Sequence, residues 1–305
     1  MLQTIKDGNV VKIEGILSEI DLNYKDLVKD GATTKAIGGV IKVRVNTAIN
    51  GVDTDLEIPV HMFAGQLTRN GTPNPAYESI ERVMNEYVSI AASDIEHADR
   101  VRITKGTIQM NEYYGQDERL VAFPRITASF VSKIKKEECK PKAEFNVTFM
   151  VGKAGYVLDR DGVETDKYQI TGMIPQYGGK VDVVPFFAIN PGVVDAVSNY
   201  WQEGDTVKAT GKLNFTSETR EVETKVDFGE PVIETRTYSV SELIITGGSS
   251  TPLDGEFAIS YDDVKAALEE RKGRLATLKD KASSRGTSGK APTPASGRKF
   301  SDLGF

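Results

Sequence analysis

Basic side chains recur in small sets along three segments of alternating sequence. The first set is Lys42 with Arg44. The second is Arg102, which shares a strand face with Thr104 and has Lys105 close by. The third is Lys208 with Lys212. Alternate residues of a strand point to the same face, so cations at this spacing can line one face and contact a row of phosphates. The same spacing is also typical of an ordinary solvated face, and the pattern alone leaves both interpretations open.

No arrangement of residues in the sequence suits catalysis or metal binding. His61 and His97 have no second histidine at ligand spacing, and Cys139 is the single cysteine. A metal site built on these residues and an intramolecular disulfide are therefore excluded. The motifs of phosphate-binding loops, nucleophile elbows and metalloproteases do not occur. We expect no enzyme, no metal and no cofactor.

The bulk composition fits a folded protein large enough for two domains. The chain has 305 residues, of which 39% are hydrophobic and 27% charged, with a net charge of −6. The negative balance argues mildly against a dedicated duplex-DNA binder, although local patches decide binding. No segment approaches the ~18 apolar residues that a membrane span needs. The first residues lack the basic region followed by an apolar run that is typical of a signal peptide. We expect a cytoplasmic protein without membrane contact.

A regular order of strands and a helix positions the first two basic sets. Residues 9–20 alternate and predict a strand, followed by a polar loop to about residue 36. Two more strands meet at Asn50-Gly51, a strong hairpin signal. Asn74-Pro75 predicts the cap and first residue of a helix, and strands follow at about 100–110 and 119–131. This β-β-β-α-β-β order predicts a five-stranded OB-fold barrel with its helix between strands three and four.

The same order recurs in the second half of the chain. Its predicted elements are a strand at 143–158, a strand pair at 167–189 turning at Tyr177-Gly178-Gly179, a helix opening at Asn190-Pro191, a strand from Thr206 to Leu213, and a strand at about 231–246. The stretch Ile58-Pro59-Val60-His61-Met62-Phe63 also occupies the place of Val184-Pro185-Phe186-Phe187. We interpret the two halves as a diverged tandem repeat.

The composition changes after residue 250. Ser260 and Asp263 form a capping box that predicts a helix to about Ala282. Ser, Gly, Thr, Pro and Ala dominate residues 283–299, which predicts a disordered linker, and the run from Arg271 to Lys299 is basic. The sequence thus predicts a mainly β protein with two tandem OB-fold domains at 1–138 and 139–250. A C-terminal helix at 251–282 and a linker with an apolar tip at 283–305 follow.

Several motifs resemble those of the single-stranded DNA-binding proteins of bacteria and their phages. They are Ile58–Gly65, Glu203–Val207 with Gly211 and Leu213, Gly115–Arg119, and the final residues Asp302–Phe305. The resemblance covers about residues 9–247 and 300–305. The chain departs from that family in carrying two barrels instead of one, and in a basic tail where the family's tail is strongly acidic.

The resemblance implies a protein that coats single-stranded DNA without strong sequence preference in replication or recombination. The family's stacking phenylalanine falls at Phe63, with Phe187 as its counterpart in the second barrel, although both are also compatible with core positions. Tyr113 and Tyr114 fall in a loop where the family places a stacking aromatic. The implied DNA-binding set is Lys42, Arg44, Phe63, Arg102, Lys105, Tyr113, Tyr114, Arg119, Phe187, Lys208 and Lys212. Asp302, Leu303 and Phe305 would recruit replication or recombination proteins.

A protein of another class remains open on the sequence alone. Barrels of this kind also serve in structural or assembly proteins, where they bind other proteins and a basic tail acts as an interaction arm. An accessory module of a nuclease or ligase is a third interpretation, which the lack of catalytic motifs disfavours. The sequence does not determine the oligomeric state or a preference between DNA and RNA.

Overall fold

Two strand–helix units follow each other along the chain, and each closes into a barrel. The structure is a computed structural model that describes residues 1–29, 32–115, 117–159, 161–224 and 232–283. Barrel 1 consists of β1 (Asn9–Lys29), β2 (Ala32–Ile49), β3 (Val52–Gly65), α1 (Pro75–Glu86), β4 (Arg100–Tyr114) and β5 (Leu120–Thr127). A short strand, β6 (Ser132–Ile134), pairs with the start of β4 and leads to the second unit.

The strand pairing of barrel 1 has the closure of an OB-fold. β1 pairs with both β2 and β4, and the β2–β3 and β4–β5 pairs are antiparallel. The ring closes through a short parallel contact of β3 with β5, in which Val60 pairs with Ile126 and His61 with Thr127. The strand order β1-β2-β3-β5-β4 and the helix between β3 and β4 confirm the predicted fold.

Barrel 2 repeats this closure. Its elements are β7 (Lys142–Leu158), β8 (Glu164–Gln176), β9 (Lys180–Ala188), α2 (Pro191–Tyr200), β10 (Thr206–Thr224) and β11 (Val232–Gly248). β7 pairs with β8 and β10, and a parallel contact of Phe187 with Ile244 joins β9 to β11. The C-terminal helix α3 (Tyr261–Ser283) begins at the predicted capping box, where the Ser260 hydroxyl accepts the Asp263 N–H at 3.3 Å.

The two barrels join edge to edge with local two-fold symmetry. Residues 9–14 of β1 pair antiparallel with residues 142–147 of β7, so one sheet runs through both barrels. Val11 pairs with Gly106 in barrel 1, and Phe145 pairs with Gly211 at the equivalent place in barrel 2. Val11 and Phe145 also pair with each other. A residue that meets its own counterpart marks a two-fold axis, which supports the predicted tandem repeat.

Alternating apolar residues fill the barrels, and the helices close their ends. Ile80 and Val83 of α1 are buried in barrel 1, and in barrel 2 Phe149 stacks on Phe186 with their ring centroids 4.8 Å apart. Trp201 ends α2 inside the core, where its indole N–H donates to the Ser249 carbonyl at 2.8 Å. Both helices begin as predicted, because Asn74 and Asn190 each accept a backbone N–H of the first turn.

One predicted element is wrong and another ends early. The predicted loop to residue 36 is a two-stranded arm, since β1 and β2 stay paired from Asp21–Val40 to Lys29–Ala32. Leu22 and Ile37 at its base are buried in the core, whereas residues 23–28 and 33–35 farther out are almost all exposed, so the outer part lacks the apolar alternation that would predict strands. The last strand of barrel 1 ends at Thr127 rather than at residue 131. The linker from residue 284 onward and the tip lie outside the described residues.

The hairpin between β2 and β3 turns where the sequence predicts. Asn50 and Gly51 have φ angles of 48° and 81°, the left-handed values that a two-residue hairpin turn requires. No helix within the described ranges is long and apolar enough to cross a membrane.

Candidate nucleic-acid interface

The outer surface of β2 and β3 carries Lys42, Arg44 and Phe63, three of the residues that sequence and resemblance single out in barrel 1. Residues of the opposite parity, such as Ile41 and Ile58, point into the core. The outward residues meet in register as Gly38–Phe63, Val40–His61, Lys42–Pro59 and Arg44–Glu57. We call these eight residues the β2–β3 face. It presents an aromatic ring at one end and two cations toward the other.

Phe63 is an exposed ring supported by a glycine. The side chain is 55% exposed although it belongs to a central strand of the barrel. A Cβ atom on Gly38 would lie 2.7 Å from Cδ2 of Phe63. The ring therefore rests on the neighbouring strand at a place that only glycine leaves free. A large apolar side chain held with one side open to water is the geometry that base stacking needs.

Lys42 and Arg44 are accessible, and both are paired with carboxylates. Lys42 Nζ lies 2.7 Å from Glu19 and 3.8 Å from Glu57, and its side chain is 39% exposed. The hydrogen bond to Glu19 raises the pKa of Lys42 above its ordinary value in spite of partial burial. Arg44 forks onto Asp55, with Nε 2.9 Å and 3.0 Å from the two carboxylate oxygens. The predicted basic face is therefore balanced by acids from β1 and β3.

His61 lies half-buried between the ring and the cations. Burial and the nearby Arg125 guanidinium both lower the pKa of His61 below its ordinary value. The imidazole is thus neutral at pH 7 and adds polarity, not charge. Arg125 itself donates toward Gln109 at 3.3 Å and Asn111 at 3.5 Å, which holds it along β4 and β5.

Arg102 and Lys105 do not join this face. Arg102 Nε lies 2.9 Å from Glu14, whose side chain is 1% exposed, and Lys142 approaches the same carboxylate at 3.3 Å. The Arg102 hydrogen bond, outweighing desolvation, lowers the pKa of Glu14 to about 2. Arg102 therefore stabilises the junction where β1 pairs with β4 and with β7. Lys105 is exposed on β4 beside Gly106, where β4 pairs with β1.

The β4–β5 hairpin reaches toward barrel 2 and not over the β2–β3 face. The Asp182 carboxylate of β9 accepts the Met110 N–H at 3.0 Å. Glu112, almost fully buried, is held by Arg271 and by Arg274 of α3, whose Nη2 lies 2.9 Å from the carboxylate. These contacts fix the hairpin against the second barrel.

The tyrosines of this hairpin lie far from Phe63. Tyr113 and Tyr114 are both half-buried, and Tyr113 packs edge to face on Phe123 with centroids 6.4 Å apart. Tyr113 pairs with Val121 of β5. The parallel β3–β5 contact sets Phe63 level with residue 129, so Val121 lies about eight residues, roughly 26 Å, away along the strand. Arg119 is exposed at the hairpin end, 3.6 Å from Asp117. The structure thus does not bring these residues together with Phe63.

Phe187 is the counterpart of His61, not of Phe63. His61 pairs with Thr127 across the parallel contact of barrel 1, and Phe187 pairs with Ile244 across that of barrel 2. Phe187 is 7% exposed and packed in the core, so it presents no open ring. The position equivalent to Phe63 is Ile189, which packs against the same core.

The surface of barrel 2 that corresponds to the β2–β3 face is covered. Ile16, Arg44 and Glu57 stand side by side in barrel 1, and Met150, Met173 and Val183 stand side by side in barrel 2. The apolar surface of barrel 2 is buried by two segments of the chain. Its cover consists of Leu2 and Ile5 from the N-terminus, Ile259, and Val264, Ala267 and Leu268 of α3.

The two lysines of β10 lie on another side of barrel 2. Lys208 is exposed and pairs with Thr148 of β7. Lys212 Nζ donates to the Ala48 carbonyl at 2.6 Å and so ties barrel 2 to the β2–β3 turn. The predicted docking residues Asp302, Leu303 and Phe305 lie outside the described residues. In the described part of the chain, no cluster of His, Cys, Asp and Glu side chains could hold a metal ion.

Comparisons with known proteins give a family and two similar folds. Two crystal structures of the single-stranded DNA binding protein from Thermus aquaticus are similar: a deletion mutant (TM-score 0.47) and the wild type (TM-score 0.44). Each is 9% identical to this chain and covers 81% of it; the matches span 95% and 94% of those chains. Likeness at this level leaves the function to be argued from the residues of this chain.

No curated protein matches the sequence. A family model described as YorF matches residues 7–281, which include both barrels and nearly all of α3. The chain therefore belongs to the YorF family.

Proposed function

We propose that the β2–β3 face of barrel 1 binds single-stranded DNA without strong sequence preference. The observation that carries the proposal is Phe63, an exposed ring resting on Gly38, in line with Lys42 and Arg44 on the outer face of an OB barrel. Proteins that bind single strands combine aromatic faces for bases with cations for phosphates. The face has both groups, about 13 to 20 Å apart along the strands at roughly 3.3 Å per residue.

The chemistry of the face favours single strands over a duplex. A base can stack on Phe63 only when its own face is free, and paired bases in a duplex are already stacked on each other. The face offers a neutral imidazole and apolar Val40 beside the ring. Every base has a π-face, so stacking tolerates any sequence. The net charge of −6 also weakens attraction to the denser charge of a duplex.

Barrel 1 supplies the proposed site, while barrel 2 serves as its support. The equivalent surface of barrel 2 lacks the exposed ring and both cations and is covered by α3 and the N-terminal segment. Lys42, Arg44 and Phe63 therefore remain in the proposed site. Tyr113, Tyr114, Arg119, Lys105 and Lys208 lie off the face, and Arg102, Phe187 and Lys212 are engaged within the fold.

The biological setting is proposed from the sequence resemblance. A sequence-tolerant binder of this kind coats single strands that replication or recombination exposes. The tip from Phe300 to Phe305 is proposed to recruit proteins of those processes. Deleting the tip should leave the affinity for DNA unchanged and remove bound partners from a pull-down. Retention of the same partners by the shortened chain would assign their docking elsewhere.

A titration with DNA tests the proposed function. A fluorescent oligo-dT strand and a duplex of equal length are titrated with the full chain at several salt concentrations. We expect the single strand to bind more tightly. Each phosphate contact contributes about −0.7 to the slope of log affinity against log salt concentration, so two cations give a slope no steeper than about −1.4. Equal affinity for the duplex, or no binding to the strand at low salt, would contradict the proposal.

A protein-binding face is the second candidate. Its support is the pairing of both cations with Glu19, Glu57 and Asp55, which leaves little net positive charge on the face. An exposed phenylalanine beside mixed charges also suits a protein partner. The same titration separates the two, because a face built for protein shows no binding to oligo-dT.

A further inference from the structure

The carboxylates that pair with Lys42 and Arg44 of the β2–β3 face occupy the positions where phosphate oxygens would bind. Glu19 lies 2.7 Å from Lys42 Nζ, and Asp55 accepts both Nε and Nη2 of Arg44. A fork of two parallel hydrogen bonds to two oxygens is also how arginine binds a phosphate. Glu57 stands farther from Lys42, at 3.8 Å, and accepts the Ser18 hydroxyl at 3.2 Å. Both cations thus hold an internal anion in the geometry of the proposed ligand.

These ion pairs are exposed enough to open. The side chains of Lys42 and Glu19 are 39% and 45% exposed, and those of Arg44 and Asp55 are 47% and 45% exposed. Ion pairs in contact with water are weak, so a phosphate can replace the carboxylate. The displaced carboxylate stays on the same face, close to the bound phosphate, and repels it. This contrasts with Glu14, whose side chain is only 1% exposed where it pairs with Arg102.

We propose that Glu19 and Asp55 set the affinity of the face by competing with DNA phosphates for Lys42 and Arg44. The inference rests on the proposed function. The carboxylates weaken binding at low salt, since each contact first requires an internal pair to open. They also flatten the salt dependence. When a DNA phosphate binds Lys42, the cation condensed on that phosphate is released. The freed Glu19 carboxylate attracts a cation in turn, so the net release of ions is small.

The test is the double variant Glu19→Gln with Asp55→Asn, which keeps side-chain size and removes both negative charges. The control is Glu269→Gln with Asp280→Asn, which changes the net charge equally. Both control residues are exposed on α3, away from the face, and Glu269 forms a comparable exposed pair with Lys272 at 2.7 Å. Thermal melting of each variant checks that the fold is retained.

We expect the double variant to bind oligo-dT about two to thirty times more tightly than the wild type at low salt, from the range typical of exposed pairs. Its log–log salt slope should steepen by up to about 0.7 for each freed cation. The control should bind nearly as the wild type does. A third variant, Glu57→Gln, should have a smaller effect than Glu19→Gln because of its longer distance to Lys42.

Two results overturn the inference, and they are distinguishable from each other. If the wild type binds oligo-dT and the double variant binds no more tightly than the α3 control, Glu19 and Asp55 do not compete with phosphate and the inference fails. If the wild type does not bind oligo-dT at low salt, the proposed function itself fails, whether or not the double variant binds.

Discussion

Replacing Phe63 with alanine removes the stacking ring and little else. The side chain is 55% exposed, and its main support is the backbone at Gly38, so the core loses almost no packing. Stacking of one base on an aromatic side chain contributes about 1–3 kcal/mol by alanine substitution. The affinity for oligo-dT should therefore fall roughly fivefold to 150-fold. The salt slope should stay unchanged, since no phosphate contact is lost.

Phe257 provides a matched control for this substitution. It is 59% exposed, and it lies between β11 and α3 beside barrel 2, away from the β2–β3 face of barrel 1. Phe257→Ala should bind as the wild type does, and both variants should retain the free energy of unfolding to within about 0.5 kcal/mol. Fluorescence anisotropy with oligo-dT and thermal melting measure the two quantities. Wild-type affinity in Phe63→Ala, or a large loss of stability, would show that the ring is structural.

Three further predictions follow from the contacts of other side chains. Gly38→Ala should weaken oligo-dT binding by a factor similar to that of Phe63→Ala, because the new Cβ displaces the ring; equal affinity in titration would refute this. Lys208→Ala should leave affinity and salt slope unchanged, and a shallower slope would extend the site to barrel 2. The lowered pKa of Glu14, about 2 against 4.5, stabilises the fold by about 3 kcal/mol above pH 4.5, and this is lost as the pH falls toward 2. Glu14→Gln should accordingly lower the unfolding free energy at pH 7 and flatten its pH dependence between pH 4.5 and 2 in urea denaturation; an unchanged profile would contradict the role of Glu14.

The barrels could be predicted from sequence because their signals are local. Asparagine followed by proline caps both helices, Asn50-Gly51 forces a hairpin, and alternating apolar residues mark strands with one buried face. These signals do not depend on contacts made elsewhere in the chain. The outer part of the arm of β1 and β2 lacks such a signal, because its residues 23–28 and 33–35 do not pack into a core.

Strand register decides the details that the sequence left open. The sequence predicts Phe187 as the counterpart of Phe63, and only the parallel contacts to Thr127 and Ile244 show that it corresponds to His61. The pairing of Lys42 with Glu19 depends on a bulge in β1 between Leu17 and Glu19, which no local pattern reveals. Basic residues can be found in a sequence, but their partners come from neighbouring strands.

The different fates of the two barrels depend on long-range packing. The apolar stripe of α3 is thin, and the sequence alone does not show what it covers. The apolar stripe of α3 packs on Met150 and Met173 of barrel 2. Ile16 and Arg44 occupy the equivalent positions in barrel 1, where no helix of the described part of the chain covers them. Apolar residues at the register positions of Arg44 and Glu57 thus distinguish the covered surface of barrel 2 from the candidate ligand surface of barrel 1.

Cross-linking to DNA tests the location of the site most directly. An oligo-dT strand carrying 5-iododeoxyuridine is bound to the full chain, irradiated, and the cross-linked peptides are identified by mass spectrometry. The β2–β3 face predicts a cross-link at Phe63 within β3, and its loss in Phe63→Ala. Cross-links confined to barrel 2, or to the Tyr113 hairpin, would contradict the assignment of the binding face to barrel 1.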